Sequence, residues 1–190
     1  MKKRVGILGG TFDPPHVGHL IIANEVFHAL CLDEVRFMPN RVPPHKEKKS
    51  GTSIEDRIEM IKRSISDHDH FKLETIEIER EGPSYTFDTI QLLKKQEPNH
   101  EFFFIIGADM IEYLPKWYRI DELMKIIQFV GVKRPPYNEK TSYNVKLIDS
   151  PEIFLSSSIL RERIRKGISC KYLVHDKVLD YIEKNRLYRT

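Results

Sequence analysis

The chain has 190 residues, 40% of them hydrophobic and 31% charged, with a formal net charge of +3. That length suits one domain with a substantial core, and so small a positive charge argues against a nucleic-acid binder, which concentrates far more cation on one face. No apolar run approaches the roughly 18 residues of a membrane helix. The run after the basic start MKKR is too short for a signal peptide, and Cys31 and Cys170 read as reduced thiols of a cytoplasmic protein.

In chain order, Val5 to Leu8 reads as a short apolar strand, followed by Gly9-Gly10, the loop TFDPP and a helix from Val17 to Leu30. That helix places Leu20, Ile21, Ala23, Phe27 and Leu30 near i, i+3, i+4 spacing, facing a core. Glu34 to Met38 is a second strand, stopped by Pro39. The segment NRVPPHKEKKSGT (40–52) reads as a polar surface loop, or else as a basic lid with His45 and Lys46 as contacts for an anion. Thr52 and Glu55 suggest a capping box for a helix to about Ser66, with Ile54, Ile58, Ile61 and Ile65 on its buried side.

Partial alternation predicts a third strand from Phe71 to Glu79, and Gly82-Pro83-Ser84 a turn before a helix over Thr86 to Gln96. Phe102 to Ile106 is continuously apolar, as expected of a central parallel strand buried on both faces. An aromatic loop, Leu114 to Tyr118, leads to a helix from about Ile120 to Ile127. Strands follow at Phe129 to Lys133 and Tyr143 to Ile148, with an extended piece at Phe154-Leu155. Helices over Ser156 to Lys166 and His175 to Lys184 make a small helical C-terminal part of the single domain. Alternating strands and helices imply a doubly wound parallel α/β sheet, whose ligands bind beyond the carboxyl ends of the strands. Gly9 to His16, Pro39-Asn40, Gly107 to Asp109 and Arg134 all follow strands, so one rim collects them.

The first turn suits phosphate. Gly9 and Gly10 allow positive φ and close approach of a ligand, Pro14 and Pro15 delay the helix, and Gly18 leaves room for a flat ligand between His16 and His19. Unpaired N–H groups and the positive end of the helix dipole lie there. Neither G-x-G-x-x-G nor a Walker A loop is present. The i, i+3 histidine pair would also suit a metal, but no cysteine or third histidine within a turn completes a site, so none is expected on the protein itself. Serines commonly cap helices, Asp109 could cap the helix after Gly107, and an aromatic loop is often a core plug.

GGTFDPPHVGH together with SSSILR resembles the nucleotidylyltransferase superfamily, and FFFIIGAD, LPKWYR and the length make the chain similar to its bacterial nicotinate mononucleotide adenylyltransferases. The resemblance runs from Gly9 to about Arg165. It implies attack by the acceptor's phosphate on the α-phosphorus of ATP, releasing pyrophosphate, with Mg2+ carried by the nucleotide. It also makes a homodimer plausible. A phosphate oxygen is already an anionic nucleophile, so positioning and charge stabilisation suffice.

On that reading His16, His19 and Arg161 carry the catalysis. ATP is bound by Gly9, Gly10, Thr11, Phe12, Gly107, Ser156, Ser157 and Arg161, with Asp109 on the ribose and Arg134 close by. Arg163 and Arg165 face solvent. The acceptor's pyridine ring stacks on Trp117 beside Tyr85 and Tyr118, its carboxylate meets N–H groups at Thr86, and Asn40 and Lys46 surround its phosphate. Other acceptors (nicotinamide mononucleotide or phosphopantetheine), CTP as donor, a nucleotide sensor without turnover and an RNA binder are the alternatives.

Overall fold

The computed structural model describes residues 2–41, 52–80, 82–132 and 141–189, and only the backbone of Ala108 and Asp109. The apolar run at Phe102 lies within strand β4 (His100–Gly107), where Phe102, Phe104 and Ile106 face one hydrophobic cluster and Phe103 and Ile105 another. Alternate side chains of a strand point to opposite faces, so a strand apolar at every position must be covered on both. Around it run β1 (Lys3–Gly10), β2 (Glu34–Pro39), β3 (Phe71–Leu73), β5 (Gln128–Val132) and β6 (Val145–Ile148). They form one six-stranded sheet in the order β3-β2-β1-β4-β5-β6, with every pairing parallel.

Helices α1 (Val17–Ala29) and α2 (Ile54–Ser64) contribute to one face cluster, and α4 (Thr86–Gln96) and α6 (Ile120–Ile126) to the other. Two short helical pieces, α3 (Ile76–Glu79) and α5 (Ala108–Ile111), follow β3 and β4. The C-terminal helices α7 (Ser157–Arg165) and α8 (Asp176–Lys184) pack on α2 through Met60, Leu160, Val178 and Ile182. The sheet reverses its winding between β1 and β4, and the crevice over their carboxyl ends is where such folds bind ligands.

Three local expectations are corrected. The capping box of α2 sits one residue later: the Asp56 N–H donates to Ser53 Oγ at 2.9 Å, and the Ser53 N–H to Asp56 Oδ2 at 3.3 Å. Tyr181 of α8 adds a 2.8 Å bond to Asp56 Oδ1 and helps fix that register. The helix buries Arg57, Met60, Ile61 and Ser64, with Ile65 buried at its C-cap, whereas Ile54 and Ile58 are only half-buried. Strand β3 stops at Leu73 because its neighbour ends in Pro39, which has no N–H to extend the ladder past the Glu74 N–H bond to Phe37 O. Phe154-Leu155, expected only as an extended piece, lies outside the sheet, with Leu155 packed with α7 and α8 and Phe154 exposed. Cys31 and Cys170 are free thiols, one exposed and one buried.

Candidate active site

A cavity of about 1020 Å³ opens over the carboxyl ends of β1 and β4. Apart from Lys46, Arg134 and the Asp109 side chain, every candidate residue named above lines it. Those three, with His45 and the proposed lid, lie outside the described residues.

The two histidines are arranged by the start of α1. His16 is its N-cap, in extended backbone at φ −142°, and its N–H donates to His19 Nδ1 at 3.1 Å. The rings stack with centroids 3.7 Å apart at 26°, and His19 meets the edge of Phe12 at 5.0 Å. Because Nδ1 of His19 accepts a backbone hydrogen, the ring's own proton sits on Nε2. His16 is 8% exposed although both rings line the cavity.

The structure gives the glycines of this turn a different job from the one expected. Neither Gly9 nor Gly10 has positive φ; a Cβ on Gly9 would lie 3.0 Å from the Phe104 ring, and one on Gly10 3.0 Å from that of Phe12. Phe12 itself takes the left-handed conformation, at φ 52°, and its ring is buried. That ring meets His19 edge-on and forms part of the cavity wall. A Cβ on Gly18 would sit 3.0 Å from His16 Nδ1, so Gly18 makes room for the folded-back imidazole, not for a flat ligand.

The loop between β1 and α1 is held by residues distant in sequence. Arg57 of α2 is 6% exposed, and its guanidinium donates to Thr11 O at 2.9 Å and Asn40 O at 2.8 Å, tying the ends of β1 and β2 together. Burial pulls its pKa below the ordinary guanidinium range, and the nearby Asp13 carboxylate works against that shift. Ser157 Oγ donates to Pro14 O at 2.8 Å, and Arg161 Nη1 to Asp13 O at 2.7 Å. Tyr188 Oη donates to Asp13 Oδ1 at 2.6 Å, and burial beside that carboxylate pushes the phenol upward. Ser156 caps α7 through a 3.3 Å bond from the Ile159 N–H.

On the acceptor side, Asn40 donates from its backbone to Gly10 O at 3.0 Å and from Nδ2 to Thr11 Oγ1 at 3.4 Å. Trp117 stands edge-on to Phe104 and Phe129, with centroids at 5.9 and 5.7 Å. The Tyr85 and Tyr118 rings lie 4.6 Å apart. Tyr85 is the N-cap of α4 but supplies no capping side chain, so the first-turn N–H groups at Thr86 keep their capacity for an anion. Gly107 caps α5 with ordinary φ of −71°. Arg163 donates to Ser169 O from a half-buried position, and Arg165 is exposed. Arg57, Glu77 and Tyr188 were not found from sequence. Each is a polar residue inside a helix or tail, and only its three-dimensional burial marks it.

A paired-histidine helix start facing a strand-end cavity, with an arginine and serines from a second helix against the same loop, defines a nucleotidyl-transfer site. Comparison with known proteins agrees. Residues 7–163 match the model of the family described as cytidylyltransferase-like. A nicotinate-nucleotide adenylyltransferase of Bacillus subtilis is 55% identical over 188 residues, 99% of this chain and 100% of that one. A Bacillus licheniformis protein named "Probable nicotinate-nucleotide adenylyltransferase" is 57% identical, with the same coverage. The solved Plasmodium falciparum nicotinic acid mononucleotide adenylyltransferase complexed with NaAD superposes with TM-score 0.84 at 25% identity, over 98% of this chain and 97% of that one. The chain belongs to the cytidylyltransferase-like family, among its nicotinate-nucleotide adenylyltransferases.

Because a lysine cannot reach two carbonyls with one planar fork, Arg57→Lys should lower stability by about 1–3 kcal/mol in urea unfolding. The same variant should lose roughly tenfold or more in kcat/KM for both substrates as the loops slacken. Unchanged kinetics would remove Arg57 from the account.

Proposed function

We propose that the chain transfers AMP from ATP to nicotinate mononucleotide, forming nicotinate adenine dinucleotide and pyrophosphate in NAD biosynthesis. The observation that carries this reading is the stacked His16–His19 pair at the start of α1, in a cavity that spans from that helix to Trp117 and Thr86. The close relatives bear the same activity in their names, and a solved neighbour carries NaAD.

An acceptor phosphate oxygen forms the new bond to the α-phosphorus of ATP, and the bond from that phosphorus to the oxygen bridging to the β-phosphorus breaks. Pyrophosphate leaves with the electron pair. No proton has to be removed from the nucleophile, so the protein's task is to hold two anions together and stabilise charge on the transferring phosphoryl oxygens. His19, donating from Nε2, and His16 beneath it act at the α-phosphate. Arg161, with Ser157 and Ser156, acts at the departing β- and γ-phosphates. Gly107 and Asp109 belong with the ATP nucleoside, Thr86 with the pyridine carboxylate, and Trp117 with the pyridine ring.

Among the described residues no three His, Cys, Asp or Glu side chains gather as a cation cage. Magnesium would enter on the triphosphate and lower the charge that the nucleophile must approach. The same reading includes a homodimer in the cytoplasm. No helix among the described residues is long and apolar enough to cross a membrane.

Incubation of the protein with ATP, magnesium and nicotinate mononucleotide should yield nicotinate adenine dinucleotide and pyrophosphate in equal amounts. His19→Ala should lower kcat by about a hundredfold or more while leaving the circular dichroism spectrum intact. Tight ATP binding without pyrophosphate release would instead describe a sensor, and turnover only of another acceptor would displace nicotinate mononucleotide.

Trp117→Ala should raise the acceptor's KM about tenfold or more and change that of ATP little. Equal increases in both would contradict the stacking assignment.

A further inference from the structure

Glu77, on α3, lines the acceptor side of the same cavity and has no part in the chemistry above. It is only 5% exposed. Thr89 Oγ1 of α4 donates to its Oε1 at 3.0 Å, and the Ser84 hydroxyl donates to the same carboxyl. Ser84 Oγ in turn accepts the Arg41 N–H at 3.2 Å. Glu77 thus stands behind the turn Ser84-Tyr85-Thr86 that opens α4, linked through hydroxyls to the residue following Asn40.

We propose that Glu77 is a specificity-determining residue, whose carboxyl in the wall of the acceptor pocket sets the preference between an acidic and an amide pyridine substituent. The proposal rests on the acceptor reading above. Two hydroxyl donors would be served equally well by a neutral glutamine. What a carboxyl adds is a charge that can appear beside an anionic substrate.

The surroundings set when that charge appears. Among the described residues the cation acting on Glu77 is Arg80, whose Nη1 lies 3.5 Å from Asp88, while the Arg41 guanidinium donates to the carbonyls of Ile78 and Arg80. From α4 Glu77 meets Thr89, and Tyr85 lines the same cavity. The adjacent carboxylates Glu74 and Glu79 are engaged by Arg36 and Thr75. Burial dominates, and the two hydroxyls and Arg80 offset it only in part, so the Glu77 carboxyl is pushed up to about 7. Below that pH a neutral carboxyl leaves the pyridine carboxylate undisturbed. Above it, like charges share one pocket and the acidic acceptor loses ground.

The test measures kcat/KM for nicotinate mononucleotide and for nicotinamide mononucleotide from about pH 6 to about pH 8.5, in the wild type, Glu77→Gln and Thr89→Val. Taking the acid-to-amide ratio cancels the titration, at about 6, of the phosphate that both acceptors share. In the wild type the ratio should fall about threefold or more across that range. In Glu77→Gln it should stay flat at its low-pH value, with the KM of ATP unmoved. Thr89→Val removes a donor to the carboxylate and should move the fall to higher pH.

A second readout needs no turnover. A raised carboxyl contributes stability that is complete below the ordinary carboxyl range and is lost as pH rises through about 7. The melting temperature of Glu77→Gln should therefore gain on that of the wild type between about pH 5 and about pH 8. A flat wild-type ratio with both acceptors turned over, or the same fall in Glu77→Gln, would overturn the proposal alone. Turnover of neither acceptor would overturn the acceptor reading with it.

Discussion

A single buried guanidinium holds the site in register. Arg57 donates to Thr11 O and Asn40 O, one carbonyl just past β1 and the other just past β2. Burying a cation costs several kcal/mol after relaxation, and here two carbonyl bonds and the proximity of Asp13 offset that cost. The return is positional. Everything the first turn presents to a ligand depends on where the backbone from Thr11 to His16 runs, and that backbone has no regular structure of its own.

The same loop is fastened from its other side by the C-terminal part of the chain. Arg161 and Ser157 bond the carbonyls of Asp13 and Pro14, Tyr188 bonds the Asp13 carboxylate, and the Val17 N–H donates to Leu173 O at 3.0 Å. Helices α7 and α8 are therefore part of the frame that sets the histidines. Arg161 has two tasks in this arrangement. It fixes the loop through Nη1 and reaches Ser158 Oγ through Nη2, and under the proposed function the remaining N–H groups of the fork serve phosphate. Inside the frame the packing is close: Phe12 backs His19, and Gly18 yields its side-chain space to His16.

The sheet was legible because β4 is apolar from Phe102 to Ile106 and because strands and helices alternate in helix-period and strand-period runs. The rim residues were legible because they follow strands, and the histidine pair because few other motifs place two imidazoles at a helix start after glycines and prolines. Arg57 and Glu77 are charged residues on helices, where the solvated face is the default, and only tertiary packing turns them inward. The α2 capping box slipped by one because Thr52/Glu55 and Ser53/Asp56 both fit the pattern, and a bond from Tyr181, 125 residues on, favours the second. The glycines were read as ligand space when neighbouring aromatic and imidazole rings occupy it. A sequence shows that a side chain is missing, not what fills its place.

In the proposed reaction His16 and His19 stabilise a direct displacement and form no bond to phosphorus. An imidazole so placed could instead act as a nucleophile, passing AMP from enzyme to acceptor in two displacements. The stereochemical course at the α-phosphorus separates the two. With ATP made chiral there by sulfur substitution, one in-line displacement by the acceptor phosphate predicts inverted configuration in the dinucleotide product. Retention, the sum of two inversions, would contradict the account and make a histidine the covalent carrier.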